Sequence, residues 1–256
     1  MKIDVELPMR ASAADGGRRQ AFNRALFTRL APDYDRLNPW ISFGRDATWK
    51  RAMIRRLPDR PAPVCVDLAC GTGDLALLLA ARYPAGRIIG IDLTEAMLAE
   101  ARRRGGADRV EFRCADLAST GLPAASADIV TGAYALRLGP GVGAGLAEAA
   151  RILRPGGIAS FLDFGWPDSP AAQSLLLALL RAWGAVTGWW FHRSLRVYTY
   201  IAETLQHVPT RRGMREHFLA AGFRDPVRPS RFIGVVDLWT ATRGGGPDQS
   251  FQRTPT

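Results

Sequence analysis

Cysteine is scarce in this chain: Cys65, Cys70 and Cys114 are its only three. They are too few and too irregularly spaced for a disulfide framework or a zinc site, so they read as reduced structural thiols. No other set of metal ligands is visible in the sequence. The opening, MKIDVELPMR, lacks the apolar core that a secretion signal needs, which makes a cytoplasmic protein the expectation. Internal repeats are missing too. Only one stretch approaches membrane length, SLLLALLRAWGAVTGWWF, from Ser174 to Phe191. A spanning helix needs about 20 apolar residues, with a lower limit near 17. This run barely reaches that limit, carries Arg181, and is broken by Gly184 and Gly188. It reads as a buried helix, an interfacial anchor or a lid over an apolar substrate.

Positive charge and apolar side chains are plentiful. Lys and Arg number 34 against 24 Asp and Glu, a formal net charge of +10. Nearly all the basic residues are arginine, and they are scattered rather than gathered. That argues against a nucleic-acid partner and leaves contact with an anionic lipid surface open. Hydrophobic residues make up 47% of the 256, enough to bury the core of one large domain, or of a domain with an elaboration.

Along the chain, residues 1–19 are polar, and a helical pattern runs from about Arg18 to Leu57. PDRPAP, from Pro58 to Pro63, reads as a linker. Short apolar runs then alternate with helical patterns. VCVDLA, RIIGIDL, VEFRCAD, ADIVTGAYAL and IASFLDFG read as strands. GDLALLLAARYP, EAMLAEARRRG and VGAGLAEAARILRPGG read as helices, the last one ended by Pro155, Gly156 and Gly157. Such alternation implies βαβ units and a parallel sheet covered on both faces. After a pause, TRRGMREHFLAAGF reads as a helix and RFIGVVDLWTATR as a final strand. The expected organisation is an N-terminal helical cap over 1–60 and a Rossmann-like sheet domain over 61–243. A helical lid is inserted at about 167–205, and a disordered tail covers 244–256.

VDLACGTGD, Val66 to Asp74, places a glycine-rich turn between a strand and a helix. Gly71 and Gly73 let the backbone approach a ligand, and the helix that follows presents its N–H groups there. Asp92 ends the next strand, where an acid can accept hydrogen bonds from ribose hydroxyls. Spacing alone leaves a nicotinamide dinucleotide admissible, because Gly71-x-Gly73-x-x-Ala76 satisfies that looser pattern. The chain has no Tyr-x-x-x-Lys pair to support it. Asp116, in CADL, stands at the end of the third strand, where it can accept from an adenine amino group.

Together these features resemble the class I S-adenosylmethionine-dependent methyltransferases, with a seven-stranded, mostly parallel sheet and an antiparallel last strand. The resemblance implies that Asp67, Gly71, Thr72 and Gly73 hold the methionine end of S-adenosyl-L-methionine. Asp92 holds the ribose, while Leu93, Met97, Asp116 and Leu117 surround the adenine. Ala133 lies near the sulfonium. More closely, YDRLNPWISFGRDATWK, CGTGDLAL, ALR, RILRPGGIASFLDFG and YTYIAETLQHVP resemble segments of the UbiE/MenG/Coq5 family over roughly Phe27 to Phe223. That family methylates ring carbons of ubiquinone and menaquinone precursors, which carry polyprenyl tails. The resemblance implies that Tyr34 closes over the cofactor. Arg137 stabilises a phenolate or forms a structural ion pair, His207 is the best-placed base, and Tyr198 contacts substrate. No metal is implied. Asp46 stands where the family usually has His, Leu138 replaces Asn, and Asp163 and Gly165 replace Glu and Ser.

The departures leave the acceptor open. The leading expectation is C-methylation of a demethylmenaquinol or polyprenyl benzoquinol. The alternatives are a diverged methyltransferase or cofactor-bound cyclase acting on another aromatic or polyketide-like molecule, a fold without turnover, and an NAD(P)-dependent oxidoreductase. The expected partner is a small hydrophobic aromatic substrate, with or without a polyprenyl tail, and no nucleic acid. Peripheral contact at the inner membrane face and a homodimer are open options. Trp183, Trp189, Trp190, Phe191 and Arg193 suit a lid near such a surface.

Overall fold

The computed structural model describes residues 16–42, 44–191, 205, 208–232 and 236–245. Among the described residues three α-helices precede the sheet: α1 (Gly16–Leu30), α2 (Tyr34–Ile41) and α3 (Asp46–Ile54). In α3 the apolar side chains Trp49, Met53 and Ile54 recur at helical spacing and are buried, so this helix is part of the core.

The sheet has seven strands: β1 (Val64–Leu68), β2 (Arg87–Asp92), β3 (Val110–Cys114), β4 (Ala127–Ala133), β5 (Leu153–Phe164), β6 (Phe223–Phe232) and β7 (Val236–Arg243). Their order is β3-β2-β1-β4-β5-β7-β6. β1 to β5 pair in parallel, and β7 lies antiparallel to both β5 and β6. The seven-stranded sheet with its antiparallel last strand is thus the expected one. Among the described residues the intervening α-helices are α4 (Asp74–Arg82), α5 (Glu95–Arg102), α6 (Val142–Ile152), α7 (Pro170–Phe191) and α8 (Arg211–Ala220). Cys65, Val66, Ile129, Val130, Phe161 and Leu162 are buried, as expected for strands covered on both faces. The strand order reverses between β1 and β4. Crevices outside the carboxyl ends of the strands at such a point are where these sheets bind ligands.

Two boundaries differ from the sequence reading. The helix read as running to Pro155 ends at Ile152, because Leu153 already pairs with Ala127 of β4. Pro155 disfavours helical geometry in the residue before it, which pushes the exit upstream. The final strand read in one piece from Arg231 to Arg243 belongs to two strands. Arg231 and Phe232 close β6, and β7 starts at Val236.

The apolar run of the sequence falls in α7. Leu176 is buried, whereas Leu175 and Leu179 are 62% and 60% exposed, so the first half of this helix lies on the surface. Among the described residues no helix is long and apolar enough to cross a membrane. The side chains of Trp183, Trp189, Trp190 and Phe191, all of Arg193, residues 1–15 and the tail from 246 lie outside the described residues.

Candidate active site

The turn after β1 concentrates unusual backbone. Ala69 (φ 53°), Gly71 (φ 55°) and Gly73 (φ 87°) all lie in the left-handed region. For alanine that costs roughly 1–2 kcal/mol. A Cβ on Gly73 would also press on Ala101 and on the Phe112 ring, both at 3.2 Å. The turn is pinned from below: Cys70 N–H donates to Ile91 O (2.9 Å), and Gly71 N–H donates to Asp92 Oδ2 (2.8 Å). Asp92 Oδ1 accepts from Thr94 N–H (2.9 Å), so this one carboxylate ties the glycine turn to the end of β2. Burial pushes Asp92 up, and these two bonds work against that.

Beneath the turn lies a small cavity that opens to solvent. Five of the expected residues line it together, Tyr34, Asp67, Gly71, Thr72 and, at the end of β4, Ala133. Asp67 is 1% exposed. Its Oδ1 accepts from Thr131 Oγ1 at 2.9 Å, while its Oδ2 has no hydrogen-bond partner among the described residues. Burial pushes the Asp67 carboxyl up to about 7, against the opposing influence of Thr131 and Lys50. An unfilled buried acceptor costs about 1–3 kcal/mol, which a donor on a ligand recovers.

Two further charged residues, Lys50 and Asp74, complete the cavity wall. Lys50 Nζ lies 2.7 Å from Asp46 Oδ2 and 3.0 Å from Asp74 Oδ2. Burial opposes its charge, yet the two carboxylates outweigh this and hold Lys50 protonated above the usual lysine range. Asp74, the first residue of α4, also pairs with Arg104, which donates to Thr72 O at 3.1 Å. Burial raises Asp74, but Lys50 and Arg104 bring it below the usual carboxylate range. Thr72 Oγ1 donates to Asp35 Oδ1 at 2.6 Å, joining the turn to α2. The Asp46-x-x-x-Lys50 spacing was a visible helical ion-pair signal, and Asp74 stood within the quoted loop. Nothing local pointed to Tyr134, the residue after Ala133.

The remaining expected residues sit around this centre. Asp116 Oδ1 accepts from Ala118 N–H (2.9 Å), and its Oδ2 takes a hydrogen bond from Gln20 Nε2 of α1. Met97 and Leu117 are buried, Leu93 is half-buried, and Leu93 O accepts from Cys114 Sγ (3.6 Å). Arg137, just past β4, is held by Asp163: Nε to Oδ1 is 3.0 Å, and Asp163 is buried. Its guanidinium lies over the Phe164 ring at 5.1 Å. Burial pushes Asp163 up, and Arg137 is the main influence in the other direction. Tyr198 and His207 lie outside the described residues.

The ubiE/COQ5 methyltransferase family matches residues 17–243. A demethylmenaquinone methyltransferase of Symbiobacterium thermophilum is 29% identical over 235 residues, 88% of this chain and 94% of that protein. A 2-phytyl-1,4-naphtoquinone methyltransferase of Thermosynechococcus vestitus is 36% identical over 190 residues, 73% of this chain and 84% of that protein. Among solved structures, an S-adenosylmethionine-dependent methyltransferase from Thermotoga maritima aligns with a TM-score of 0.60 at 16% identity, covering 86% of this chain and 99% of that one. That last likeness is one of fold.

Proposed function

Since the chain belongs to the ubiE/COQ5 methyltransferase family, we propose that it methylates a ring carbon of a hydroxylated quinone precursor, of the demethylmenaquinol or polyprenyl benzoquinol type. It is an S-adenosylmethionine-dependent methyltransferase, which settles the choice of cofactor that glycine spacing left open. The named relatives that act on naphthoquinone precursors support the acceptor class. The observation that carries the reading is the buried Asp67 Oδ2 without a donor, in a cavity roofed by the glycine turn.

The residues present fit the cofactor. When bound, S-adenosylmethionine supplies an electrophilic sulfonium methyl together with an ammonium and a carboxylate. Asp67 would take the ammonium, and N–H groups at the start of α4 would face the carboxylate. Asp92 and Asp116 would hold the ribose and adenine, with Gln20 giving way at Asp116 as the base enters. Tyr34 would close the methionine end. The protein's own task is then positioning and the exclusion of water. A phenol ionises near pH 10, so a fixed cation near the ring oxygen favours the nucleophilic phenolate. Arg137, held in place by Asp163, is assigned that role, since arginine is too weak an acid to be the base. His207 as base and Tyr198 as a substrate contact complete the set. The helices over 1–60 serve as a cap. The segment about 167–205, which includes α7, serves as the lid and the tail route near an inner membrane face.

Methyl-labelled S-adenosylmethionine offered with a reduced panel tests this. The panel holds demethylmenaquinols and polyprenyl benzoquinols of several tail lengths, with catechols and simple phenols. Label on a quinol ring carbon, at a rate that rises with tail length, is the expected outcome. Label only on the simple phenols would move the acceptor to another aromatic class, and equal rates for all tails would remove the lid.

A further inference from the structure

A second buried polar atom without a partner belongs to a residue of the cavity wall, and the chemistry around it is lopsided. Tyr134 follows β4 directly and is itself in the left-handed region, at φ 58°. Its N–H donates to Leu162 O (2.6 Å), and its ring lies against Phe164, centroids 5.5 Å apart. The side chain is 8% exposed and lines the cavity beside Ala133. Its hydroxyl has no hydrogen-bond partner among the described residues. Nor has Asp46 Oδ1, also buried, whereas Asp46 Oδ2 is fully engaged by Asn38 Nδ2 (2.9 Å) and Lys50 Nζ (2.7 Å).

An ionised carboxylate only accepts, whereas a phenol both donates and accepts. The Asp46 carboxylate acts on the Tyr134 hydroxyl, so its one proton is drawn toward that carboxylate and its lone pairs are left for a donor. A group placed so welcomes a donor and repels another acceptor. We propose that Tyr134, oriented by Asp46, reads a hydroxyl on the acceptor ring, selecting the reduced, hydroxylated ring over its carbonyl form and fixing which carbon meets the methyl donor. This rests on the aromatic acceptor proposed above. Burial, and after it Asp46, pushes the Tyr134 phenol well above its usual range, so it stays a neutral hydroxyl during this recognition. Tyr134 touches the substrate, and Asp46 is a positioning residue acting through it.

The test is binding without turnover. Protein saturated with S-adenosylhomocysteine is titrated with 1-naphthol, a hydroxyl donor, and with 1-tetralone, a bicycle of similar size that only accepts. The wild-type protein is expected to prefer the naphthol by about tenfold, the worth of one well-made hydrogen bond. Tyr134→Phe keeps the ring and removes an unfilled hydroxyl, so it folds, and its two affinities should agree within about twofold. Asp46→Asn should turn its amide N–H toward Tyr134, since its oxygen is needed by Asn38 and Lys50. The hydroxyl then donates into the cavity, and the preference shifts toward the tetralone. Equal affinities in the wild type, no binding of either probe, or a preference that survives Tyr134→Phe overturns the assignment. So does a loss of S-adenosylhomocysteine affinity in Tyr134→Phe with the preference intact, which would move the hydroxyl to the cofactor's side. Failure of label transfer to every quinol would instead count against the proposed acceptor class, since the probes report without any methyl transfer.

Discussion

At the scale of single residues, Asp67 offers a sharp readout because its folded value, about 7, lies above that of a free carboxylate. A raised acid binds its proton more tightly in the folded state. Its contribution to stability is therefore full below the unfolded value and lost as pH rises through about 7. Cofactor binding runs the other way, because only the ionised form can pair with an ammonium. The dissociation constant of S-adenosylmethionine is expected to fall by up to about tenfold per pH unit between roughly pH 5 and 7, and then level off. Asp67→Asn should bind weakly and show no such slope in calorimetric titrations, and an unchanged slope would remove Asp67 from the site. The acids at strand ends were legible in the sequence because strand-turn-helix punctuation marks them. Tyr134 and Gln20 were not, since each gains its meaning from a partner far along the chain. Gln20 meets Asp116 at a separation of 96 residues.

At the scale of elements, α8 shows what holds the far edge of the sheet. Thr210 caps it, its Oγ1 accepting from Gly213 N–H at 3.2 Å. Phe218 is fully buried against Phe161, Phe223 and Trp239, with centroids 6.2, 5.5 and 5.8 Å away. Phe218→Ala should cost about 3–5 kcal/mol, read as a lower denaturant midpoint with an unchanged slope. A loss below about 1 kcal/mol would mean that this cluster does not anchor the hairpin. Parallel strands were easy to recognise because burial on both faces makes them continuous apolar runs, as in RIIGID. The hairpin was not, because RFIGVVDLWTATR stays apolar across the boundary between β6 and β7, leaving no composition change to mark it.

At the scale of the whole molecule, the cofactor should act as a clamp between the N-terminal helices and the sheet, since Asp35 of α2 and Asp46 of α3 both reach the cavity wall. Ligand at about 100 times its dissociation constant adds about 2.7 kcal/mol. At about 2–4 °C per kcal/mol for a chain of this size, the melting temperature should rise by roughly 5–10 °C with S-adenosylmethionine and not with NADH. A rise with NADH instead would contradict the choice of cofactor. The strand order also bears on how the protein is made. β7 leaves the ribosome after β6, yet it lies between β6 and β5. A nascent chain halted before Val236 therefore cannot join β6 to the sheet. It carries β5, with Phe161 and Leu162, as a bare edge open to neighbouring chains until translation supplies the missing strand.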